Sequence, residues 1–297
     1  MTVDLSAASA FVVTHARLLD RRRFDLLLGR DDAGLTLAAL DGYRNADGGY
    51  GWGLEPDLRA QESQPIHALH VFEILHECGA AAGTRAVELC DWLETVSFDD
   101  GGLPFVLPIA DPAGCAPWFA DADSDRSSLH GTAAVVSAAW RVARHDTVVA
   151  AHPWLVAATR YCLDGIADSE RLSAYELVFL LRLLDALHDT DIEAADHLAH
   201  LTASLPSSGL LPAEGGVEGE VLRPLDYAPD PGSPIRARLA DEAVDAELDR
   251  LVDEQRRDGG WEVDFASFSP AGRLEWRGYA TLRAVGLLVR NGRLRLP

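Results

Sequence analysis

Glycine pairs set between helical stretches constrain this chain more than any other feature. The segments Asn45-Ala46-Asp47-Gly48-Gly49-Tyr50-Gly51-Trp52, Phe98-Asp99-Asp100-Gly101-Gly102-Leu103-Pro104-Phe105 and Arg256-Arg257-Asp258-Gly259-Gly260-Trp261 share one plan. Each follows a helical stretch and leads, directly or through a loop, into a second apolar helix. A weaker copy is Ser207-Ser208-Gly209-Leu210-Leu211-Pro212. A glycine pair permits positive φ and a sharp reversal without a Cβ clash, and the aromatic after it is expected to plug the gap between adjacent hairpins. Neither helix of such a pair can bury its face alone, so the pairs must stack. At the usual periods of helical repeats the chain holds about five or six pairs. The expected fold is therefore all-α, a single domain over residues 1–297 closed into an α/α toroid whose inner helices line a central cavity. An open solenoid would want polar capping repeats, and the apolar character of both ends favours closure.

Apolar periodicity places helices over Gln64–Cys78, Ser127–Arg144, Thr147–Gly165, Leu172–His188 and Glu275–Arg290, with another from Leu248 to Gln255 before the last turn. Strand signals are sparse. A run such as Leu103–Leu107 is short and broken by Pro104.

Charge and composition narrow the function. The formal net charge is −21, a field that repels nucleic acid and anionic lipid, so neither is an expected partner. The chain has no lysine, which excludes Schiff-base chemistry, a P-loop and a kinase-type lysine. Cys78, Cys90, Cys115 and Cys162 are scattered without ligand spacing. They read as reduced, buried small hydrophobes, with no metal and no cofactor expected. No run of apolar residues is long enough to cross a membrane. Met1 to Leu5 lacks the pattern of a signal peptide, so a cytoplasmic location is expected.

The segment Gln255-Arg256-Arg257-Asp258-Gly259-Gly260-Trp261 resembles the QW repeat of squalene–hopene cyclases and their relatives, and Asn45 to Trp52 is a degenerate copy of it. The glycine-pair-then-helix plan is also similar to that of the protein prenyltransferase β subunit. The resemblance covers most of the chain as a pattern and implies the toroidal fold of that superfamily. It also implies an acid-catalysed reaction on an isoprenoid, through an aspartate-rich motif of the form DxDD followed by Thr-Ala. Here Thr132-Ala133 follows Ser128-Leu129-His130-Gly131, and Asp121-Ala122-Asp123-Ser124-Asp125 stands displaced in register. The zinc ligands that the prenyltransferase likeness implies for the last inner helix are missing, because Glu275-Trp276-Arg277-Gly278-Tyr279 contains neither His nor Cys.

Asp121, Asp123 and Asp125 are the candidate acids. Crowded carboxylates raise one another's pKa, so a buried cluster can keep one member protonated near neutrality; the rival reading is a solvated acidic turn that caps the next helix. His130, in the first turn of an inner helix, is a candidate proton relay, or else a packed histidine. Glu55, Asp57 and His67 lie on the glycine-rich turn and the helix after it, where a toroid has its cavity mouth. Their alternatives are capping, surface charge and a satisfied helix histidine. Arg223 and Tyr227 fall in a Pro-rich stretch of the kind that forms rim loops, where arginines either clamp an anion or pair with aspartates to pin the loop. Arg277 opens the last inner helix and is a candidate contact across the cavity. The expected function is a terpene-cyclase-like enzyme working on a small apolar substrate by aspartate acid catalysis. The rivals are a non-catalytic toroid that binds an apolar ligand and a carbohydrate-active α/α barrel using paired carboxylates.

Overall fold

The computed structural model describes residues 2–168, 171–214, 219–265 and 267–296. Their fold is all-α. The helices are α1 (Leu5–His15), α2 (Leu18–Leu27), α3 (Ala33–Asp41), α4 (His67–Cys78), α5 (Arg85–Val96), α6 (Pro117–Ala120), α7 (Leu129–Ala143), α8 (Thr147–Ala150), α9 (Pro153–Asp168), α10 (Ala174–Leu187), α11 (Ile192–Ala203), α12 (Pro224–Tyr227), α13 (Asp241–Asp253) and α14 (Pro270–Arg290). The strands among the described residues are β1 (Leu211–Pro212) and β2 (Val221–Leu222), paired antiparallel. Leu103–Leu107, the run weighed as a strand, is not one.

Local chemistry sets the helix ends. Ser128 caps α7 by accepting from the Gly131 N–H, and Ser173 with Glu176 forms a capping box at α10. The last helix starts at Pro270 rather than Glu275, because Ser269 caps it and Pro270 takes the first helical position, where a missing N–H costs nothing. The expected helix over Thr147–Gly165 is broken in two. Pro153 has no N–H to continue the ladder, so α8 stops at Ala150 and α9 begins at the proline.

The glycine turns are built alike. In each, the aspartate before the pair accepts a hydrogen bond from the second glycine's N–H: Asp47 from Gly49 at 3.0 Å, Asp100 from Gly102 at 2.9 Å and Asp258 from Gly260 at 3.1 Å. This is an Asx turn, in which a side chain imitates a backbone turn. The first glycine has positive φ in all of them, +96°, +86° and +93°. In the weaker copy Ser208 takes the place of the aspartate, accepting from the Leu210 N–H, and Gly209 is the residue with positive φ.

The residue after each pair, Tyr50, Leu103 or Trp261, is buried. The Trp261 indole donates to the Leu251 carbonyl of α13 at 2.8 Å, and its N–H donates to the Thr281 hydroxyl of α14 at 3.1 Å. The Leu103 N–H meets the Thr132 hydroxyl of α7 in the same way, at 2.8 Å. Trp52, which the repeat pattern had committed to packing, is instead about half exposed, and Tyr50 is the residue that fills its gap.

Packing contacts run from α14 to α2, α3, α4, α7, α10, α12 and α13 in turn and back to α14, with α1 also lying on α14. The two ends of the chain therefore meet. One hydrophobic cluster joins α4, α7 and α10 with their outer neighbours, and a second joins α1, α13 and α14. Trp261 belongs to the second. Trp261→Ala is expected to lower unfolding stability by roughly 3–5 kcal/mol, read as a fall in the denaturant midpoint.

Candidate functional site

A cavity of about 680 Å³ lies between α4, α7, α10 and α14, a size that suits one small organic molecule. Aromatic side chains supply much of its wall. Phe105 stacks on Phe119 and leans on the His130 ring, which is stacked in turn with Tyr175 at 5.1 Å and Phe179 at 5.6 Å. On the opposite helix Trp276 meets Phe265 and Tyr279 edge to face, the arrangement the aromatic quadrupole prefers.

A charged cluster interrupts this wall. His70, on α4, donates from Nε2 to the Glu55 carboxylate at 2.9 Å, and its Nδ1 lies 3.5 Å from the Glu73 carboxylate. The Tyr279 hydroxyl donates to Glu73 at 3.2 Å. Trp276 and Tyr279 both turn edges toward the His70 ring. Burial opposes charge on this imidazole, but the hydrogen bonds and charges of Glu55 and Glu73 overcome it and push its pKa up to about 9. Burial likewise opposes the charge on Glu73, yet His70, Arg23 and Arg182 hold it down at about 2. The pair is an imidazolium locked between carboxylates. Because the folded value lies above the ordinary 6.5, the stability this proton contributes is complete below that pH and lost as pH rises through about 9.

The structure brings Glu55, Asp57 and His130 to the cavity, of the residues expected to form the site. Asp57 is buried and its carboxylate is filled by the protein. It accepts from the Trp276 indole at 2.8 Å, the Phe268 N–H at 3.0 Å and the Ser267 hydroxyl at 3.2 Å. It thus ties the glycine-rich turn to the start of α14 rather than offering a free oxygen to a substrate. His130 faces the cavity as a neutral ring, because burial pushes its pKa down to about 4.

The remaining candidates are corrected by their positions. Asp121, Asp123 and Asp125 are exposed and lie outside the cavity wall. Asp123 accepts from the Asp125 N–H at 2.9 Å and pairs with the exposed Arg126 at 3.0 Å. Solvent screens such charges, so the crowding that would hold a proton on one of them is gone. His67 is buried with Nδ1 2.8 Å from the Tyr50 carbonyl and Nε2 3.3 Å from that of Leu58, and it pins the turn from within. Tyr227 is buried and donates to the Gly209 carbonyl at 2.8 Å, holding the weak fourth turn. Arg223 pairs with Asp264 at 2.9 Å and Glu247 at 3.5 Å. Arg277 lies over the Phe11 ring and pairs with Asp258 and Glu262 on the outer side of the last turn. Among the described residues no group of His, Cys, Asp or Glu side chains is arranged to hold a metal ion, and no helix is long and apolar enough to cross a membrane.

His70, Glu73, Arg182, Trp276, Tyr279 and Arg283 are the cavity residues the sequence did not single out. A usable signal existed in α4, where His70 and Glu73 are one turn apart and share a face. The partners on α10 and α14 are set by long-range packing alone.

The comparisons with known proteins concern the fold. No protein-family model matches the chain, and no curated protein matches it. A solved crystal structure of a protein from Actinoplanes is similar to it. The two share 14% identity over 96% of this chain and 99% of that one, with a TM-score of 0.51.

Proton-detected NMR of the histidine rings tests this electrostatic picture. His70 is expected to keep its proton until pH approaches about 9, whereas His67 and His130 stay neutral until pH falls to about 4. A His70 that titrates near 6.5 would contradict the contacts described.

Proposed function

We propose that the chain forms a ring of helical hairpins, an α/α toroid, whose central cavity takes up a small, mainly apolar molecule. The observation that carries this reading is the cavity itself: about 680 Å³ walled by aromatic rings from four helices. Burial of apolar ligand surface there is the driving force, and the rings supply flat contact area that loses little freedom on binding. The circuit of helix contacts, with α1 meeting α14, supports the ring.

The reading favours binding over strong-acid chemistry. Protonating an alkene wants an acid that gives up its proton readily, and the exposed Asp121, Asp123 and Asp125 are not placed to do so. His70 holds its proton too firmly, with a pKa near 9. A terpene-cyclase-like reaction on an isoprenoid is the second reading. It is favoured by the Phe265, Trp276 and Tyr279 rings set around a buried imidazolium, since aromatic faces stabilise developing positive charge. In that case His70 with Glu55 and Glu73 replaces the aspartate cluster as the proton-handling group. Glycoside hydrolysis needs two carboxylates with separate acid and base roles, and Glu55 and Glu73 flank one imidazole instead.

Calorimetric titration with an apolar alcohol such as decanol is expected to show one site per chain. Ala280→Trp, which puts an indole into the cavity, is expected to weaken that binding at least tenfold while the protein stays folded. Binding unaffected by the filled cavity would sink the reading. For the catalytic reading, turnover of farnesyl diphosphate, squalene or its epoxide is expected to fall by about 10²-fold or more in His70→Gln.

A further inference from the structure

Three arginines reach the cavity: Arg182 from α10, Arg250 from α13 and Arg283 from α14. Arg250 has Glu247 and Glu254 beside it, and Arg283 donates to the Asp226 carboxylate at 2.7 Å. Arg182 has no carboxylate within 4.0 Å. Its Nε donates to the backbone carbonyl of Asp226 at 2.5 Å, and its guanidinium carbon lies 5.5 Å from the centre of the Phe179 ring.

The neighbouring anions are already engaged. Glu73 has His70 and the Tyr279 hydroxyl. Asp226 has Arg283 on one oxygen and the Arg223 N–H, at 2.6 Å, on the other. Burial accordingly lowers the Arg182 pKa from the ordinary guanidinium range, with Glu73 the largest opposing charge and Arg283 adding to the fall. A desolvated guanidinium is costly unless an anion meets it, and its planar fork of donors matches carboxylate and phosphate oxygens.

We infer that Arg182 anchors an oxyanion head group, a carboxylate or a phosphate, on the molecule that the cavity takes up. The inference rests on the apolar-ligand reading above and narrows it: the ligand is amphipathic, with its tail along the aromatic wall and its anionic end at α10. The surrounding charge makes this a sharp claim. The chain carries −21, and that field by itself draws cations into a cleft rather than anions. Only a local site at Arg182 reverses the order.

The test uses four ligands with the same ten-carbon tail, kept below their micelle-forming concentrations: decanoate, decyl phosphate, decanol and decylamine. Calorimetry on the full chain at neutral pH and moderate salt is expected to show at least one of the two anions binding tenfold or more tighter than decanol, with decylamine weakest. The anion that binds tighter identifies the head group as carboxylate or phosphate. Arg182→Met is expected to bring both anions to within threefold of decanol and to leave decanol itself unchanged, which also shows that the variant is folded. If decylamine binds as tightly as the anions, or the anion preference survives Arg182→Met, the inference is wrong. If decanol binds but neither anion binds better, the head-group site fails and the apolar cavity stands. If none of the four binds, the cavity reading itself fails. Should Arg182→Met not fold, the ranking on the unsubstituted protein decides.

Discussion

The architecture depends on how closely the backbone of Gly259 lies against the first helix. A Cβ built at that position would stand 2.1 Å from the Ala7 carbonyl oxygen, and one at Gly260 would stand 2.8 Å from the Phe11 ring. No side chain fits there, and the positive φ of Gly259 disfavours one independently. This contact lets the end of the chain seat on its beginning. It also fixes where α14 runs, and α14 carries Trp276, Tyr279 and Arg283 into the cavity. The turn at Gly101-Gly102 works similarly against α9, where a Cβ at Gly101 would meet the Ala157 carbonyl at 2.8 Å. Hairpins that approach this closely leave their inner helices to enclose a space between them.

What fills the wall of that space follows from desolvation. Charged groups facing it survive only in company: Glu55 with His70, Glu73 with His70 and Tyr279, Asp226 with Arg283. Asp57 solves the same problem with an indole, a backbone amide and a hydroxyl, and so locks the first glycine turn to the segment leading into α14. Outside, Asp121, Asp123 and Asp125 crowd one another at little cost because water screens them. Carboxylates close in sequence thus carry little chemistry here, while carboxylates distant in sequence share one proton.

The all-α fold and the turns were legible because glycine pairs and apolar periodicity are local signals. So was the structural part of Trp261, since the residue after a glycine pair has only the gap between hairpins to enter. Trp52 misled for a related reason: the pattern marks an aromatic near the turn, and Tyr50 rather than Trp52 follows the pair. Glu55 and Asp57 were placed correctly at the cavity by their position on the first turn, but their roles depend on His70 and Trp276, one of them far along the chain. The aspartate cluster was the most conspicuous sequence feature and drew the chemistry to itself. Nothing local tells whether such a loop faces inward. Arg182 was invisible because its significance is a missing carboxylate partner, which only packing reveals.

The central claim is that the space between α4, α7, α10 and α14 admits an apolar molecule. Crystals soaked with 10-bromodecanol test it most directly, through the anomalous signal of bromine. The account predicts one dominant bromine peak inside the wall formed by Phe105, Phe179 and Trp276. A peak confined to the outer surface, with the interior unchanged, would contradict it.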